Sequence, residues 1–494
     1  MTRRNFMLSA AALAGMPSLL PTAPSERRLR VGILSDIHVE GPRKAALFEK
    51  SLRYFDAEKV DAVLIAGDLT VHSQLVEHRR VADTWFKVFP DDRRSDGAKV
   101  ERLFVTGNHD VDGWAYGRFK TVDEARASSL FFNREAFWKD LWGEDYKPVS
   151  IKTVKGYLFV LRNWLSILGR EAKGHPIAAG FKDEPNPLDE FLSTAQIPGD
   201  KPVFFVQHEP VTDTVNATWL FRGRAWGKYS DDMSKPVYSR YPNAFVLTGH
   251  SHLSLTDETS IWQGEFTAVN CSCQTGFAFT PPGRENGFCG RDFRREPPLE
   301  MPPIDFKGVR QGMLMDVYDN RVVFKRFEFK NGHSLGADWV VPVGPGADKP
   351  YRFDTRVNAR LLPGFPAGAK IEVCFMDGHF RGKGGMKPSE EKHAQICVSF
   401  PPATTAGGAD IRAWDYAVRL EEDCGDNIRT VSERFYFSPN SLMGEQDDVE
   451  PVVCAFPRTD MPMKSRAVYR FTVVPRSCWG HEGKSISSEW RKFQ

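Results

Sequence analysis

Short runs of apolar residues alternate with longer amphipathic segments along the first half of the chain. The runs at 29–34, 63–66 and 103–105 predict buried strands. Between them, residues 45–55 and 76–88 repeat apolar positions at helical spacing. Further strand-like runs occur at 157–161, 203–206 and 244–247. Because strands that alternate with helices pair in parallel and carry their helices outside the sheet, this half is predicted to be an α/β domain.

The second half of the chain has a different pattern, and a segment rich in Pro and Gly separates the two halves. Short alternating runs follow this segment, and helical periodicity is scarce. The pattern predicts an antiparallel β-sandwich, and the ending at 478–483 resembles the last hairpin of fibronectin-like modules. The predicted parts are a leader at 1–25, a first domain at 27–343, a linker at 344–350 and a β-sandwich domain at 351–494.

The charges of the chain are almost balanced. Lys and Arg together number 66 and Asp and Glu 64, and removing Arg3 and Arg4 leaves 64 of each. A nearly neutral mature chain disfavours broad electrostatic capture of nucleic acid. We therefore expect no specific nucleic-acid partner.

Residues 1–25 have the layout of an export signal. Arg3 and Arg4 precede an uncharged apolar stretch at 8–20, and cleavage is expected after Ala23. Paired arginines before such a stretch resemble the twin-arginine signal, which makes the twin-arginine export machinery an expected partner. A general secretory signal is the alternative. The stretch is shorter than the roughly 20 residues of a membrane span, so we expect no transmembrane segment and a periplasmic or secreted protein.

Eight cysteines in an exported chain permit disulfides without specifying them. Cys271 and Cys273 lie two residues apart on a strand predicted at 269–273, and they are not expected to pair in one disulfide. A zinc site built from cysteines is not expected either, because the chain has no Cys-x-x-Cys pair.

Five short polar segments stand in order near the ends of predicted strands. They are Asp36-Ile37-His38, Gly67-Asp68, Gly107-Asn108-His109-Asp110, His208 and Gly249-His250-Ser251-His252. Their carboxylate, imidazole and amide groups are ligands that suit Mn, Fe, Zn or Mg. For each segment taken alone, a turn with satisfied side chains is the alternative. The ordered set predicts a metal site built from several strand ends.

The spacing within these segments adds two expectations. Residues two apart on a strand point the same way, so Asp36 and His38 are expected to meet one ion, and His250 and His252 repeat that spacing. A glycine precedes each of Asp68, Asn108 and His250, where it is expected to allow a sharp turn at the strand end.

This ordered series resembles the calcineurin-like metallophosphoesterase superfamily over residues 29–343. The resemblance implies two stacked β-sheets flanked by helices, and two divalent or Fe-type metal ions (Mn, Fe, Zn or Mg). It assigns to one ion Asp36, His38, Asp68 and His252. It assigns to the other ion Asp68, Asn108, His208 and His250. Asp68 then bridges two cations, for which one carboxylate with two oxygens is suited.

The same resemblance implies hydrolysis of a phosphate ester by a hydroxide held between the two ions. His109 follows the ligand Asn108 and is expected to protonate the leaving group. Asp110 is expected to fix the tautomer of His109 or to keep it protonated. The alternative for His109 is a hydrogen bond to the phosphate without proton transfer.

The residues that follow Asp68 differ from those of two groups of related enzymes, and these differences narrow the expected class of substrate. Purple acid phosphatases carry a tyrosine ligand three positions after the aspartate of Gly-Asp, where this chain has Val71. Serine/threonine protein phosphatases continue that segment with Val-Asp-Arg-Gly, whereas residues 69–73 read Leu-Thr-Val-His-Ser. We therefore favour a small phosphodiester substrate. The alternatives are a phosphomonoesterase such as a nucleotidase, and a catalytically inert surface-binding protein that acts through its C-terminal module.

Four residues are candidates for substrate contact. Arg162 and Asn163 end a predicted strand, and Arg291 and Arg294 lie in a Pro-rich segment at 281–310. Arginine side chains bind phosphate and carboxylate groups in a bidentate manner. Acidic residues nearly balance the arginines of the Pro-rich segment, so a solvated surface loop is the alternative there.

Overall fold

The structure is a computed structural model that describes most of the chain. The described residues are 26–116, 121–128, 132–164, 187–197, 199, 201–216, 218, 234–274, 299–300, 310–358, 362–379, 392–403, 412–438, 450–458 and 461–492. The leader at 1–25 and the candidates Arg291 and Arg294 lie outside these residues. Among the helices within these ranges, none is both long and apolar enough to cross a membrane.

The elements are numbered in chain order. The helices are α1 (Pro42–Ala57), α2 (Leu75–Val88), α3 (Asn108–Val111), α4 (Val122–Ala127), α5 (Arg134–Trp142), α6 (Pro187–Thr194), α7 (Lys235–Tyr238) and α8 (Phe353–Asn358). The strands up to the linker are β1 (Leu29–Leu34), β2 (Ala62–Ala66), β3 (Glu101–Val105), β4 (Val149–Val154), β5 (Tyr157–Arg162), β6 (Val203–Val206), β7 (Ala244–Thr248), β8 (Ile261–Gln263), β9 (Thr267–Asn270), β10 (Leu299–Glu300), β11 (Gln311–Val317), β12 (Arg321–Glu328), β13 (His333–Ser334) and β14 (Trp339–Pro342). The later strands are β15 (Glu372–His379), β16 (Lys392–Phe400), β17 (Asp415–Asp423), β18 (Ile428–Phe437), β19 (Val452–Pro457), β20 (Tyr469–Arg476) and β21 (Ile486–Ser487).

The first sheet has the strand order β13-β12-β11-β1-β2-β3, and β14 also pairs with β12. Strands β1, β2 and β3 run parallel, with Ile33 opposite Leu64 and Leu64 opposite Leu103. Strand β11 joins the other side of β1 in antiparallel register. Because β1, β2 and β3 are parallel, the residues that follow these three strands lie at one edge of the sheet.

The second sheet has the strand order β4-β5-β6-β7-β9-β8, and β5, β6, β7 and β9 run parallel. Val31 and Leu64 of the first sheet share one buried core with Phe204 and Leu247 of the second. The two sheets are therefore stacked face to face. Sheets buried on both faces need continuous apolar strands, which accounts for the uninterrupted apolar runs in the sequence.

Helices cover the outer faces of the two sheets. On the first sheet, Phe48 of α1 and Trp85 of α2 belong to a buried core that also contains Phe104 of β3. On the second sheet, Leu188 of α6 and Tyr238 of α7 belong to another buried core. The layers confirm the predicted α/β fold of two stacked sheets flanked by helices.

The sequence explains where the two longest helices of the first sheet begin. Helix α1 follows Gly41 and has Pro42 in its first turn, where proline suits the helix because the missing N–H has no helical partner. Helix α2 begins at a capping box formed by Gln74 and Glu77. These starts lie a few residues or less before the predicted ones.

The C-terminal part is built from strands. One sheet has the order β10-β18-β17-β20-β21, and the other has the order β15-β16-β19. Both sheets contribute to one buried core that includes Val398, Tyr416, Phe456 and Phe471. This arrangement agrees with the predicted C-terminal β-sandwich, whereas the similarity to fibronectin-like modules stays a prediction.

Two residues that follow the predicted linker contact the first domain. The backbone N–H of Tyr351 donates to Gln263 Oε1 at 2.9 Å, and the N–H of Gln263 donates to the Tyr351 carbonyl at 3.0 Å. The Arg356 guanidinium donates to the Ile261 carbonyl at 3.0 Å and lies 4.6 Å from the ring centroid of Trp479. The segment from 351 to 356 therefore joins the first domain to the C-terminal sheets, and the predicted boundary at 343–351 stays a prediction.

Candidate metal centre

The polar segments meet at one edge of the stacked sheets, where β1, β2, β3, β6 and β7 end. Backbone hydrogen bonds join the first two of these segments, from the N–H of Asp36 to the Gly67 carbonyl and from the N–H of His38 to the Asp68 carbonyl, both at 3.0 Å. The N–H of Gly249 donates to the His208 carbonyl at 3.0 Å. These bonds hold residues that are distant in the chain in one fixed constellation.

One group of donor atoms consists of Asp36, His38, Asp68 and His252, all of which are buried. The Nε2 atom of His252 lies 2.7 Å from Asp36 Oδ1 and 3.3 Å from the Nε2 atom of His38. His38 Nε2 in turn lies 3.4 Å from Asp68 Oδ2. These four side chains are the ones that the family resemblance assigned to one ion.

The second group consists of Asp68, His208 and His250, which are also buried. The Nε2 atom of His208 is 3.2 Å from Asp68 Oδ2 and 3.1 Å from the Nδ1 atom of His250. The same Nε2 atom lies 3.0 Å from the side-chain oxygen of Asn108. Together these four residues are the set predicted for the other ion.

Asp68 belongs to both groups, and only one of its oxygens faces them. Its Oδ2 atom is near His38 and His208, whereas its Oδ1 atom accepts a hydrogen bond from the backbone N–H of His109 at 2.8 Å. Oδ2 is therefore the oxygen that would face both ions, in contrast to the expected sharing between two oxygens.

The spacing of the donor atoms fits metal ions. Ligands about 2.1 Å from one ion and at right angles to each other stand about 3.0 Å apart, close to the separations within both groups. Asp36 Oδ1 is buried and lies 2.7 Å from the Nε2 atom of His252. Its Oδ2 atom is held by the Ser35 hydroxyl at 2.5 Å and by the backbone N–H of His250 at 3.0 Å. A buried carboxylate oxygen that is aimed at crowded imidazoles is suited to a cation.

The charges of the site also favour cations. Burial lowers the pKa of His38 and His250 well below the usual value of histidine. Burial has the same effect on His208 and His252, but there the carboxylates outweigh it. They raise the pKa of His208 to about 10 and that of His252 well above its usual range. The surrounding histidines overcome the effect of burial on Asp68 and hold the pKa of its carboxyl well below its usual value, so its charge is available to positive ions.

Five of the predicted ligands have a left-handed backbone, with φ between 43° and 69°. They are Asp36, His38, Asp68, His250 and His252. Such conformations are uncommon for residues other than glycine and concentrate at functional sites. The expectation that residues two apart point the same way does not hold here as a strand rule, because β1 and β7 end before these residues. Asp36 and His38 still share one group, whereas His250 and His252 belong to different groups.

The glycines before the ligands serve two different needs. Gly67 has φ of 89°, so it makes the expected turn. Gly249 instead allows a close approach, because a Cβ atom there would lie 1.9 Å from Ser35 Oγ and 2.5 Å from Asp36 Oδ2. Gly107 is likewise packed against Asp68 and has an extended backbone. The expectation of a sharp turn is therefore correct only at Gly67.

The family comparison agrees with this geometry. Residues 29–254 match the family of calcineurin-like phosphoesterases, a range that includes all seven predicted ligands. The chain therefore contains a calcineurin-like phosphoesterase domain. The domain implies a metal-dependent hydrolase of phosphate esters, and its Asp and His side chains are positioned for a metal site.

Solved structures similar to this chain include a dimetal phosphatase from Danio rerio, with 14% identity, a TM-score of 0.37 and coverage of 65% of this chain and 100% of that one. A purple acid phosphatase from yellow lupin has 12% identity and a TM-score of 0.37, with coverage of 64% of this chain and 53% of that one. A Vps29 protein complexed with zinc, from Entamoeba histolytica, has 13% identity and a TM-score of 0.26, with coverage of 64% of this chain and 99% of that one. No curated protein gives a significant match.

Within the phosphoesterase domain, His109 lies beside the ligand groups. Its ring centroid is 4.6 Å from that of His38. Its Nδ1 atom lies 2.8 Å from the Val71 carbonyl oxygen and therefore donates to it. This contact fixes the tautomer of His109, a role that the sequence had assigned to Asp110.

Asp110 is fully buried and joins two ligand loops. Its carboxylate accepts hydrogen bonds from the backbone N–H groups of Leu69 at 3.0 Å, Thr70 at 2.9 Å and Gly107 at 2.8 Å. Burial and the nearby charge of Asp68 raise the pKa of Asp110 to about 7. The observed contacts of Asp110 position the loops that carry Asp68 and Asn108, and a direct part in catalysis stays a prediction.

The described candidates for substrate contact already have protein partners. Arg162 donates from Nη1 to Gln207 Oε1 and to the Ser234 hydroxyl, both at 3.1 Å. Asn163 accepts from the backbone N–H of Thr106 at 2.7 Å and donates to the Lys147 carbonyl at 2.8 Å. Asn163 thus ties the end of β3 to the end of β5, and substrate contact by Arg162 or Asn163 stays a prediction.

Sequence reasoning missed two neighbours of the ligands. Trp164 is buried, donates from Nε1 to Asp112 at 2.8 Å, and lies 6.0 Å from His208 between ring centroids. It follows the end of β5, so the rule that functional residues follow strands could have found it. The Cys273 thiol is hydrogen-bonded to His252. No sequence signal pointed to Cys273, because this contact depends on how the chain continues after β9.

Proposed function

We propose that the chain is an exported two-metal hydrolase that acts on a small phosphodiester. The observation that carries the proposal is the position of Asp68 Oδ2, which lies 3.4 Å from the Nε2 atom of His38 and 3.2 Å from that of His208. One carboxylate thus belongs to two groups of ligands, and a shared carboxylate would offset the repulsion between two adjacent cations. Asp36, His38, Asp68, Asn108, His208, His250 and His252 would hold two cations, which would supply the Lewis acidity for activating a water and neutralising the phosphoryl oxygens.

The chain's own residues orient the ligand atoms. His208 donates from Nδ1 to the Ala66 carbonyl at 2.8 Å, which directs Nε2 at Asp68 and Asn108, so Nε2 is the nitrogen that would give up its proton to bind an ion. Ser35 and the backbone N–H of His250 hold one oxygen of Asp36, so the other oxygen faces the first group. These hydrogen bonds prepare the site before any ion arrives.

His109 is proposed to assist the leaving group. Because its Nδ1 donates to the Val71 carbonyl, a second proton is carried on Nε2, and donation of that proton neutralises a departing alkoxide. The position beside His38 brings this ring next to the ligand groups. Residue 71 contributes its backbone oxygen here, where purple acid phosphatases carry a tyrosine ligand.

Preference for a diester rests on the sequence around Asp68. Val71 departs from the purple acid phosphatases, and the segment 69–73 departs from the protein phosphatases. The proposed test loads the purified chain with Mn, Fe, Zn or Mg and compares rates on bis(p-nitrophenyl) phosphate and p-nitrophenyl phosphate. The proposal expects bound metal and faster diester hydrolysis. Faster monoester hydrolysis supports a nucleotidase-like enzyme, and a chain that neither binds metal nor hydrolyses either ester supports the binding protein.

Export is proposed from Arg3, Arg4 and the apolar stretch at 8–20. Replacing both arginines by lysine tests the twin-arginine route, because that route depends on the arginine pair. We expect the doubly substituted chain to stay in the cytoplasm with its leader attached. Normal export of this variant supports the general secretory route instead.

A further inference from the structure

Two cysteines face each other across neighbouring strands of the C-terminal domain. Cys374 of β15 and Cys397 of β16 are direct partners in an antiparallel pair. Opposite residues in such a pair have Cα atoms about 4.5 or 5.5 Å apart and side chains on the same face. Disulfides form when Cα atoms are about 4.4–6.8 Å apart, so the backbone already holds these cysteines at a suitable distance.

The two thiols contact each other in this register. The Cys397 thiol is hydrogen-bonded to that of Cys374, and burial together with this neighbour raises the pKa of Cys397 to about 11. Cys374 is exposed, whereas Cys397 is buried. Cys454, on the next strand, is opposite Val398, so it belongs to the other face of the sheet. Among the described cysteines of this sheet, the register therefore brings only Cys374 and Cys397 together.

We propose that Cys374 and Cys397 form a cross-strand disulfide when the chain meets a disulfide oxidant. The exposed Cys374 thiolate attacks one sulfur of the oxidant, a mixed disulfide forms, and one thiolate leaves. Cys397 then gives up its proton and attacks the Cys374 sulfur, and the second thiol of the oxidant leaves. The two protein thiols lose two protons and two electrons, and the oxidant disulfide is reduced to two thiols. Exported proteins encounter such oxidants.

The bond would strengthen a vulnerable part of the domain. In the described residues β15 pairs with β16 alone, so it lies at the edge of the sheet order β15-β16-β19. Phe375 and Met376 on this strand are 46% and 51% exposed. An exposed apolar edge strand is prone to pair with other chains, and a covalent link to β16 keeps it in register.

The test uses the full-length, metal-loaded chain in a buffer of oxidised and reduced glutathione. After alkylation of the remaining thiols, the chain is digested without reduction and the peptides are weighed. We expect one linked pair that contains Cys374 and Cys397, lighter than the separate peptides by two hydrogens, about 2 Da. Reduction before alkylation should replace this pair by the two separate alkylated peptides.

Variants separate this pair from general thiol reactivity. Cys424 is also exposed, and Cys424→Ser should leave the linked pair unchanged. Cys397→Ser should abolish it and leave Cys374 alkylated or joined to glutathione. Separate alkylation of both cysteines at every glutathione ratio, in a chain with normal circular dichroism, would overturn the proposal. So would wild-type chain in which Cys374 is joined only to glutathione. Neither result depends on whether the chain is exported or hydrolyses diesters.

Discussion

The Nε2 atom of His208 lies 3.2 Å from the Oδ2 atom of Asp68. The second nitrogen of His208 donates to the Ala66 carbonyl, and the second oxygen of Asp68 accepts from the backbone of His109. Each side chain is thus held by the backbone on one side and presents one atom to the ligand groups on the other. Such support keeps ligand atoms in place without energy spent on ordering them when metal binds.

The first prediction concerns Gly249, which is packed against Ser35 and Asp36. In Gly249→Ala the added Cβ must push one of them away, because its ideal position is 1.9 Å from Ser35 Oγ and 2.5 Å from Asp36 Oδ2. We expect metal affinity to fall by about 10-fold to 100-fold, the usual cost of disturbing groups that orient ligands. Metal titration followed by calorimetry measures the change.

Gly199→Ala is the matched control, because a Cβ at Gly199 meets no atom within 4 Å. It should bind metal as the wild type does. If Gly249→Ala also binds with unaltered affinity, the hydrogen bonds that hold Asp36 are not required for the site.

The second prediction concerns proton donation by His109. His109→Ala should keep its bound metal but slow hydrolysis of diesters with alkyl leaving groups by about 100-fold, because an alkoxide needs a proton to leave. Hydrolysis of bis(p-nitrophenyl) phosphate should change much less, since p-nitrophenolate is a stable anion. The measurement is the rate for a series of diesters whose leaving groups differ in pKa, plotted as the logarithm of the rate against that pKa. Equal losses across the series would assign His109 to phosphate binding alone.

The third prediction concerns His78, which is fully buried, stacks on Phe132 at 3.7 Å between ring centroids and lies 3.9 Å from Asp110. Burial lowers its pKa to about 3. Below pH 6.5 the unfolded chain therefore takes up a proton on His78 that the folded chain does not, and stability falls as pH falls. From pH 7.5 to pH 5.5, this group alone lowers the free energy of unfolding by about 1.4 kcal/mol.

Urea unfolding of the metal-free wild type and of His78→Phe at both pH values tests this effect. When pH falls from 7.5 to 5.5, the free energy of unfolding of the variant should decrease by about 1.4 kcal/mol less than that of the wild type. Metal ligands titrate in both proteins and cancel in the comparison. Identical pH dependence of the two proteins would mean that His78 is not held neutral by burial.

Much of the site was predictable because the relevant rules are local. Strand-like runs followed by Asp36, Asp68 and His208 identified both the sheets and the ligands, since parallel strands bring their ends to one edge. The resemblance to a known family then sorted the ligands into two groups. That sorting agrees with the distances around His250 and His252, whereas the argument from strand spacing did not.

The parts that failed depend on contacts between distant segments. The left-handed backbone at His250 and His252 turns neighbouring ligands to different groups, and spacing along the chain carries no record of that turn. The Val71 carbonyl that holds His109 lies 38 positions away in the chain, whereas Asp110 is adjacent to His109, and the sequence therefore pointed to Asp110. The domain boundary predicted at 343–351 stays a prediction, and Tyr351 at its end packs against the core of the first domain.

The fourth prediction follows from Tyr351 and Arg356. A chain that ends after Asn358 should fold, bind metal and hydrolyse a small diester, because every predicted ligand lies before it. A chain that ends after Val343 loses the contacts of Tyr351 and Arg356 with Gln263 and Ile261, and its melting temperature should be lower by at least about 5 °C. Equal melting temperatures would support the earlier boundary. A metal-loaded but inactive chain ending after Asn358 would show that the C-terminal sheets complete the active site.

The central claim is that Asp68 joins two metal ions, and Asp68→Asn tests it most directly. The measurement is metal content per chain together with the rate on bis(p-nitrophenyl) phosphate, with Asp319→Asn as control because Asp319 is an exposed partner of Arg28. We predict fewer than two metal ions per chain and a rate lowered by at least about 1000-fold for Asp68→Asn, while Asp319→Asn matches the wild type. Two ions per chain and a normal rate in Asp68→Asn would contradict the account.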